Sequence, residues 1–147
     1  SEVDEVNARS RITIVTSGTP MVIEQIKAQL GRLVPVYDVH DLTMEGPHVG
    51  REMALVKIRN AGDKRIEALR IADTFRARAI DSTLESFVFE LTGDTGKIDA
   101  FIDLMVSLGE VEVSRTGVVA IARGEHVHMP LVRKAKPKRK TKKADAD

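Results

Sequence analysis

The spacing of apolar residues changes period inside one short stretch, residues 86–108, and this change constrains the fold more than any other feature. Phe87, Phe89 and Leu91 alternate with Val88 and Glu90, the spacing of a strand with one strongly apolar face. Ile98, Phe101, Ile102 and Met105 then fall at i, i+3, i+4 and i+7, one stripe of a helix. Asp94 or Thr95 can cap the first free N–H groups of that helix, and Gly109 stands where a helix stops. Three of the four Phe lie here, so the stretch is expected at the heart of the core. Aromatic residues make up only 3% of the chain against 42% hydrophobic residues overall, so the remaining core must come from Ile, Val, Leu and Ala.

Around this stretch the element order is legible. Residues 1–10 are polar, with Val3 and Val6 as the apolar anchors of a short edge strand or loose arm. Residues 11–16 (RITIVT) read as a strand, and Pro20 after Thr19 suits a helix start. Val22, Ile23, Ile26, Leu30 and Leu33 mark one face of that helix, which Pro35 ends at the latest. Residues 36–42 (VYDVHDL) read as a second strand, and the Gly- and Pro-bearing residues 44–50 as a linker. Residues 51–58 are a strand, 64–78 a helix through Ile66, Leu69, Ala72 and Phe75, and 79–83 a short strand. After Gly109 comes a strand broken at Thr116-Gly117. From residue 51 the order is βαββαβ, which suits a ferredoxin-like sandwich with two helices on one face of an antiparallel sheet. The expected division is residues 1–43, a linker at 44–50, a ferredoxin-like domain at 51–124 and a tail at 125–147.

The tail is set apart by charge. Residues 133–143 hold eight Lys or Arg and no acid, whereas residues 1–132 hold fifteen basic and twenty acidic side chains. With almost nothing to bury and like charges that repel, it reads as disordered. Such a run can contact nucleic acid phosphates, but it lacks interleaved aromatics for stacking. A ferredoxin-like binding module with a nucleic-acid-contacting tail is therefore the alternative reading of function. No apolar run approaches the roughly 20 residues needed to span a bilayer. The chain has no Cys, which removes disulfides and thiolate metal sites. A cytoplasmic setting is expected, with no membrane partner.

Candidate chemistry is sparse. Gly93-Asp94-Thr95-Gly96-Lys97 suggests a phosphate cradle, but Leu91 occupies the first Gly position of a P-loop and Ile98 its metal-binding hydroxyl position. Gly93 and Gly96 are read instead as turn and helix-start residues. His126 and His128 form a His-x-His pair that could ligate a metal, though they lie where the fold runs out. His40, beside Asp38 and Asp41, reads as a surface residue at a strand edge. Glu110 and Glu112 read as a solvent face. No catalytic, effector-binding or metal-ligating residue is assigned.

Three separated segments carry a family resemblance: REMALVKI, ESFVFELTGDTGKIDAFIDLM and VSRTGVVAIARG, in that order and spacing. Upstream, SRITIVTSG and VIEQIKAQLGRLVPVYDV fit the same pattern. Over residues 10–124 the chain resembles the small regulatory subunit of acetolactate synthase. The resemblance implies a non-catalytic subunit without a cofactor of its own. Its partner would be a large subunit carrying thiamine diphosphate, a divalent metal (Mg) and FAD. It further implies activation of that subunit and feedback inhibition by valine in branched-chain amino-acid synthesis. An N-terminal ACT domain, a second ferredoxin-like domain and a homodimer are implied as well. The chain departs from the family at its start, entering just before the third strand of the ACT domain. The effector loop is then absent, and no effector ligand can be placed. An incomplete ACT domain would leave Ile12, Ile14, Ile26 and Leu30 partly uncovered, which favours dimerisation, disorder or a truncated chain.

Overall fold

The computed structural model describes residues 2–4, 9–129 and 131. Most of the buried apolar residues belong to a two-layer unit that begins at a long strand, β3. Before it lie a short antiparallel ribbon, β1 (Glu2–Asp4) with β2 (Arg9–Arg11), then α1 (Pro20–Gly31) and the single turn α2 (Leu42–Glu45). The unit itself is β3 (His48–Arg59), a 3-10 turn (Gly62–Lys64), α3 (Arg65–Thr74), β4 (Arg78–Ser82), β5 (Ser86–Gly93), α4 (Thr95–Val106), β6 (Glu110–Arg115) and β7 (Val119–Ala122). The strands run β4-β5-β3-β6, every pairing antiparallel. The βαββαβ order and this strand order define the expected α+β, ferredoxin-like arrangement.

Period-two alternation places Glu52, Ala54, Val56 and Ile58 of β3 on the helix-facing side, all buried, beside Phe87, Phe89 and Leu91 of β5. The α4 stripe of Ile98, Phe101 and Met105 closes over them. Phe101 packs edge-on against Phe89 and Phe75, with ring centroids 5.9 and 5.5 Å away. The smaller α3 contributes Ala68 and Ala72, residues that let that helix approach the sheet closely. The core is thus centred on residues 86–108.

Strand β3 is long because two strands share one of its edges. Residues 54–59 pair with β6 and residues 48–51 with β7. Between them Thr116 interrupts the ladder. Its N–H donates to the Met53 carbonyl, and its hydroxyl accepts from the Met53 N–H, both at 3.0 Å. Gly117 takes a left-handed φ of 77°, which favours glycine. The break read at Thr116-Gly117 is therefore a kink in one edge.

The structure corrects several boundaries. Residues 12–16 and 36–41 contain no strand, despite their β-branched composition. A strand needs a neighbour for its N–H and C=O groups, and among the described residues these segments pair with none. Ile12, Ile14 and Val15 are largely exposed, and α1 buries no residue. Residues 44–50 are only partly a linker, since α2 runs to Glu45 and β3 starts at His48. Helix α3, expected over residues 64–78, stops at Thr74. Arg76, at φ 56°, sits in the left-handed position after the helix, and Ala77 N–H donates to the Ala72 carbonyl at 2.8 Å. This is a Schellman stop with Arg where glycine is usual, so no glycine announced it.

Candidate functional site

The turn after β5 shows what Gly93–Lys97 does. Asp94 caps α4 by accepting from Lys97 N–H at 2.8 Å. Lys97 Nζ turns back and donates to the Thr92 carbonyl at 2.9 Å, so its charge is held along the strand rather than over the helix start. Neither Gly93 nor Gly96 has a left-handed φ. A Cβ at Gly93 would lie 2.5 Å from Lys97 Cδ, and one at Gly96 would meet only ordinary contact. Gly96 lies in the first turn of α4, as its helix-start reading expects, whereas the turn reading of Gly93 is corrected: Gly93 ends a paired strand and leaves room for the Lys97 side chain.

One charged cluster sits where that turn meets the sheet edge. Glu52, 4% exposed, is the buried charged side chain of the described residues. Arg115 Nη2 donates to its Oε1, and Nη1 donates to Asp99 Oδ1 at 2.7 Å. The Glu52 and then the Asp99 hydrogen bonds raise the Arg115 pKa above its ordinary value. The arrangement joins β3, β6 and α4.

Glu110 and Glu112 lie on the other sheet face, paired with Arg59 at 2.5 Å and Lys57 at 3.7 Å. Hydrogen bonds from Arg59 and Asn60, with the Arg59 charge, hold the Glu110 carboxyl below the usual range. Asp41 accepts from Thr43 N–H at 3.1 Å and caps α2.

The histidines are arranged differently from their sequence reading. His40 is not at a strand edge; it precedes α2, and its Nδ1 lies 3.2 Å from Glu45 Oε1. Across the same carboxylate, His128 Nε2 lies 2.9 Å from Oε2. The His40 and His128 rings approach to 4.0 Å between centroids. His126 Nε2 faces His128 Nε2 at 2.9 Å. The turn that carries Glu45 is set beside the segment after β7 because β3 and β7 pair at His48 and Ala122. Burial raises the Glu45 pKa, but the His40 and His128 hydrogen bonds and charges outweigh it and lower the carboxyl overall. Of this cluster, sequence reading singled out only His126 and His128 as possible ligands. Glu45 and His40 come from the opposite end of the unit, and no local spacing links them to the pair.

The basic residues 133–143 lie outside the described residues. No helix among the described residues is long and apolar enough to cross a membrane.

Fold and charge pairing together define a ferredoxin-like α+β domain whose prominent ionisable groups bridge its own elements. Comparison with known proteins gives the family. The family model described as the small subunit of acetolactate synthase matches residues 51–124. A probable acetolactate synthase small subunit of Archaeoglobus fulgidus is 42% identical over 115 residues, 78% of this chain and 71% of that protein. The acetolactate synthase small subunit of Aquifex aeolicus is 44% identical over 115 residues, 78% of this chain and 59% of that protein. These alignments are longer than residues 51–124 and so include sequence outside them. The crystal structure of the acetolactate synthase small subunit from Thermotoga maritima is similar with a TM-score of 0.62 and 39% identity, over 75% of this chain and 68% of that one. The chain belongs to the family of acetolactate synthase small subunits, the regulatory subunits of that enzyme. Nothing in these comparisons supports the nucleic-acid alternative.

Proposed function

We propose that this chain docks on the large catalytic subunit of acetolactate synthase, raises its activity and transmits feedback control by a branched-chain amino acid, valine in the first instance. The carrying observation is the family match across residues 51–124, the unit that holds nearly all of the buried core. Thiamine diphosphate, the divalent metal and FAD belong, in this reading, to the large subunit. The mechanism is allosteric: docking favours one of two states of the catalytic subunit, and effector binding shifts the balance.

Residues 1–43 are proposed as part of an ACT domain and the chain as a homodimer in the cytoplasm. The exposed apolar side chains Ile12, Ile14, Val15, Met21 and Leu33 support a dimer, because such a surface gains by being covered. No effector ligand is assigned to any residue, and weak valine binding by the isolated chain is proposed. Size-exclusion chromatography with the purified large subunit tests the docking. Co-elution is expected, and separate elution at micromolar concentrations contradicts it. Calorimetry with valine tests the second point, and tight stoichiometric binding to the isolated chain contradicts it.

A further inference from the structure

We propose that His40, Glu45 and His128 bind one divalent transition-metal ion of the zinc class. The inference is independent of any partnership with a catalytic subunit. It rests first on distance. One ligand atom from each of His40, Glu45 and His128 lies within 4.8 Å of the others. Ligands bound tetrahedrally at about 2.05 Å are separated by about 3.3 Å. The separations here are 3.2 Å for His40 Nδ1 to Glu45 Oε1 and 2.9 Å for His128 Nε2 to Glu45 Oε2, so the carboxylate stands between the two imidazoles with one oxygen facing each at close to that spacing.

Hydrogen-bond capacity points the same way. His128 Nε2 faces both the Glu45 carboxylate and His126 Nε2. A neutral imidazole nitrogen either donates one proton or accepts one. If His128 Nε2 donates to Glu45, it can serve His126 only through a shared, weakened bond. If it accepts from His126, it faces the carboxylate lone pair against lone pair. A cation between the Glu45 carboxylate and His128 Nε2 accepts a lone pair from each.

The setting also suits an ion. The His128 side chain is 9% exposed, while those of His40 and Glu45 are about a third exposed at 35% and 33%. Glu45, His126 and His128 line a cavity of about 80 Å³, which has ample room for an ion and a water. Arg123 also lines it, but its Nε donates to the His48 carbonyl at 3.0 Å, which anchors the guanidinium at the strand end. Imidazoles with one carboxylate and no thiolate suit zinc, nickel, cobalt or copper better than magnesium or calcium.

The ligands come from both sides of the β3–β7 ladder end: His40 and Glu45 precede β3, and His128 follows β7. A bound ion ties the segment leading into the domain to the segment leaving it. It therefore stabilises the folded chain in proportion to occupancy.

The test uses the full chain, without a purification tag, stripped by a chelator and titrated calorimetrically with zinc chloride. Cobalt(II) absorption provides a second readout of the ligand set. One ion per chain and a raised melting temperature are expected. Outer-shell partners of metal sites change affinity by about 10–100-fold, so His40→Ala, Glu45→Gln and His128→Ala should each weaken binding by at least about 100-fold. His48→Ala, outside the cluster, should bind as the parent does. Glu45→Gln nearly preserves shape, and circular dichroism verifies that each variant is folded. Absence of saturable binding, or binding unchanged in folded Glu45→Gln and His128→Ala, overturns the site.

Discussion

Arg115 on β6 neutralises Glu52 on β3, the buried charged side chain of the described residues. Glu52 occupies the first helix-facing position of an otherwise apolar run, Ala54, Val56 and Ile58. A carboxylate there is tolerable because the guanidinium reaches over from the neighbouring strand and is held in turn by Asp99 of α4. Breaking such a pair leaves an uncompensated charge. Arg115→Met should destabilise the chain by about 3 kcal/mol near neutral pH in urea denaturation. Combining it with Glu52→Gln should restore part of that loss. A single-variant loss below about 1 kcal/mol, or no restoration, contradicts the pairing.

Gly109 should be much less replaceable than Gly93. A Cβ at Gly109 would stand 2.6 Å from the backbone carbonyl of Arg59, whereas one at Gly93 meets the flexible end of Lys97. Gly109→Ala is expected to destabilise by about 2 kcal/mol, and Gly93→Ala by less than about 1 kcal/mol. Equal losses in thermal denaturation would show that the α4–β6 connection does not approach β3 as closely as described.

Asp94 is expected to act through its cap. Asp94→Ala should cost about 1 kcal/mol of stability. Asp94→Asn, which keeps an acceptor for the Lys97 N–H, should cost distinctly less. Similar losses for both in chemical denaturation would indicate that charge, not the hydrogen bond, matters at this position.

The Arg59–Glu110 pair gives a pH dependence of defined sign. The folded carboxyl titrates below its ordinary value, so its contribution is complete above the unfolded pKa of roughly 4.3. It is lost as pH falls through the lowered folded value. The melting-temperature difference between the parent chain and Arg59→Gln should therefore persist at pH 7 and shrink below about pH 4. A difference that grows on acidification contradicts this sign.

The core was legible wherever a segment carried one clear period. Phe87, Phe89 and Leu91 gave the β5 face, and Ile98, Phe101 and Met105 the α4 stripe, because both patterns reflect one buried side. Residues 12–16 and 36–41 misled because β-branched composition reports a fit to a sheet surface, not the presence of a neighbouring strand. The end of α3 was missed because Arg76 takes a conformation usually marked by glycine. Glu45 was invisible as a potential ligand because pairing of β3 with β7, not local spacing, brings it to His128.

Steady-state acetolactate formation measures the partnership with a catalytic subunit. The large subunit is assayed alone and with increasing amounts of this chain, at fixed substrate and cofactor concentrations. A saturable rise in rate is expected, with no acetolactate formed by this chain alone. A rate unchanged at saturating chain, or acetolactate formed without the large subunit, would contradict it.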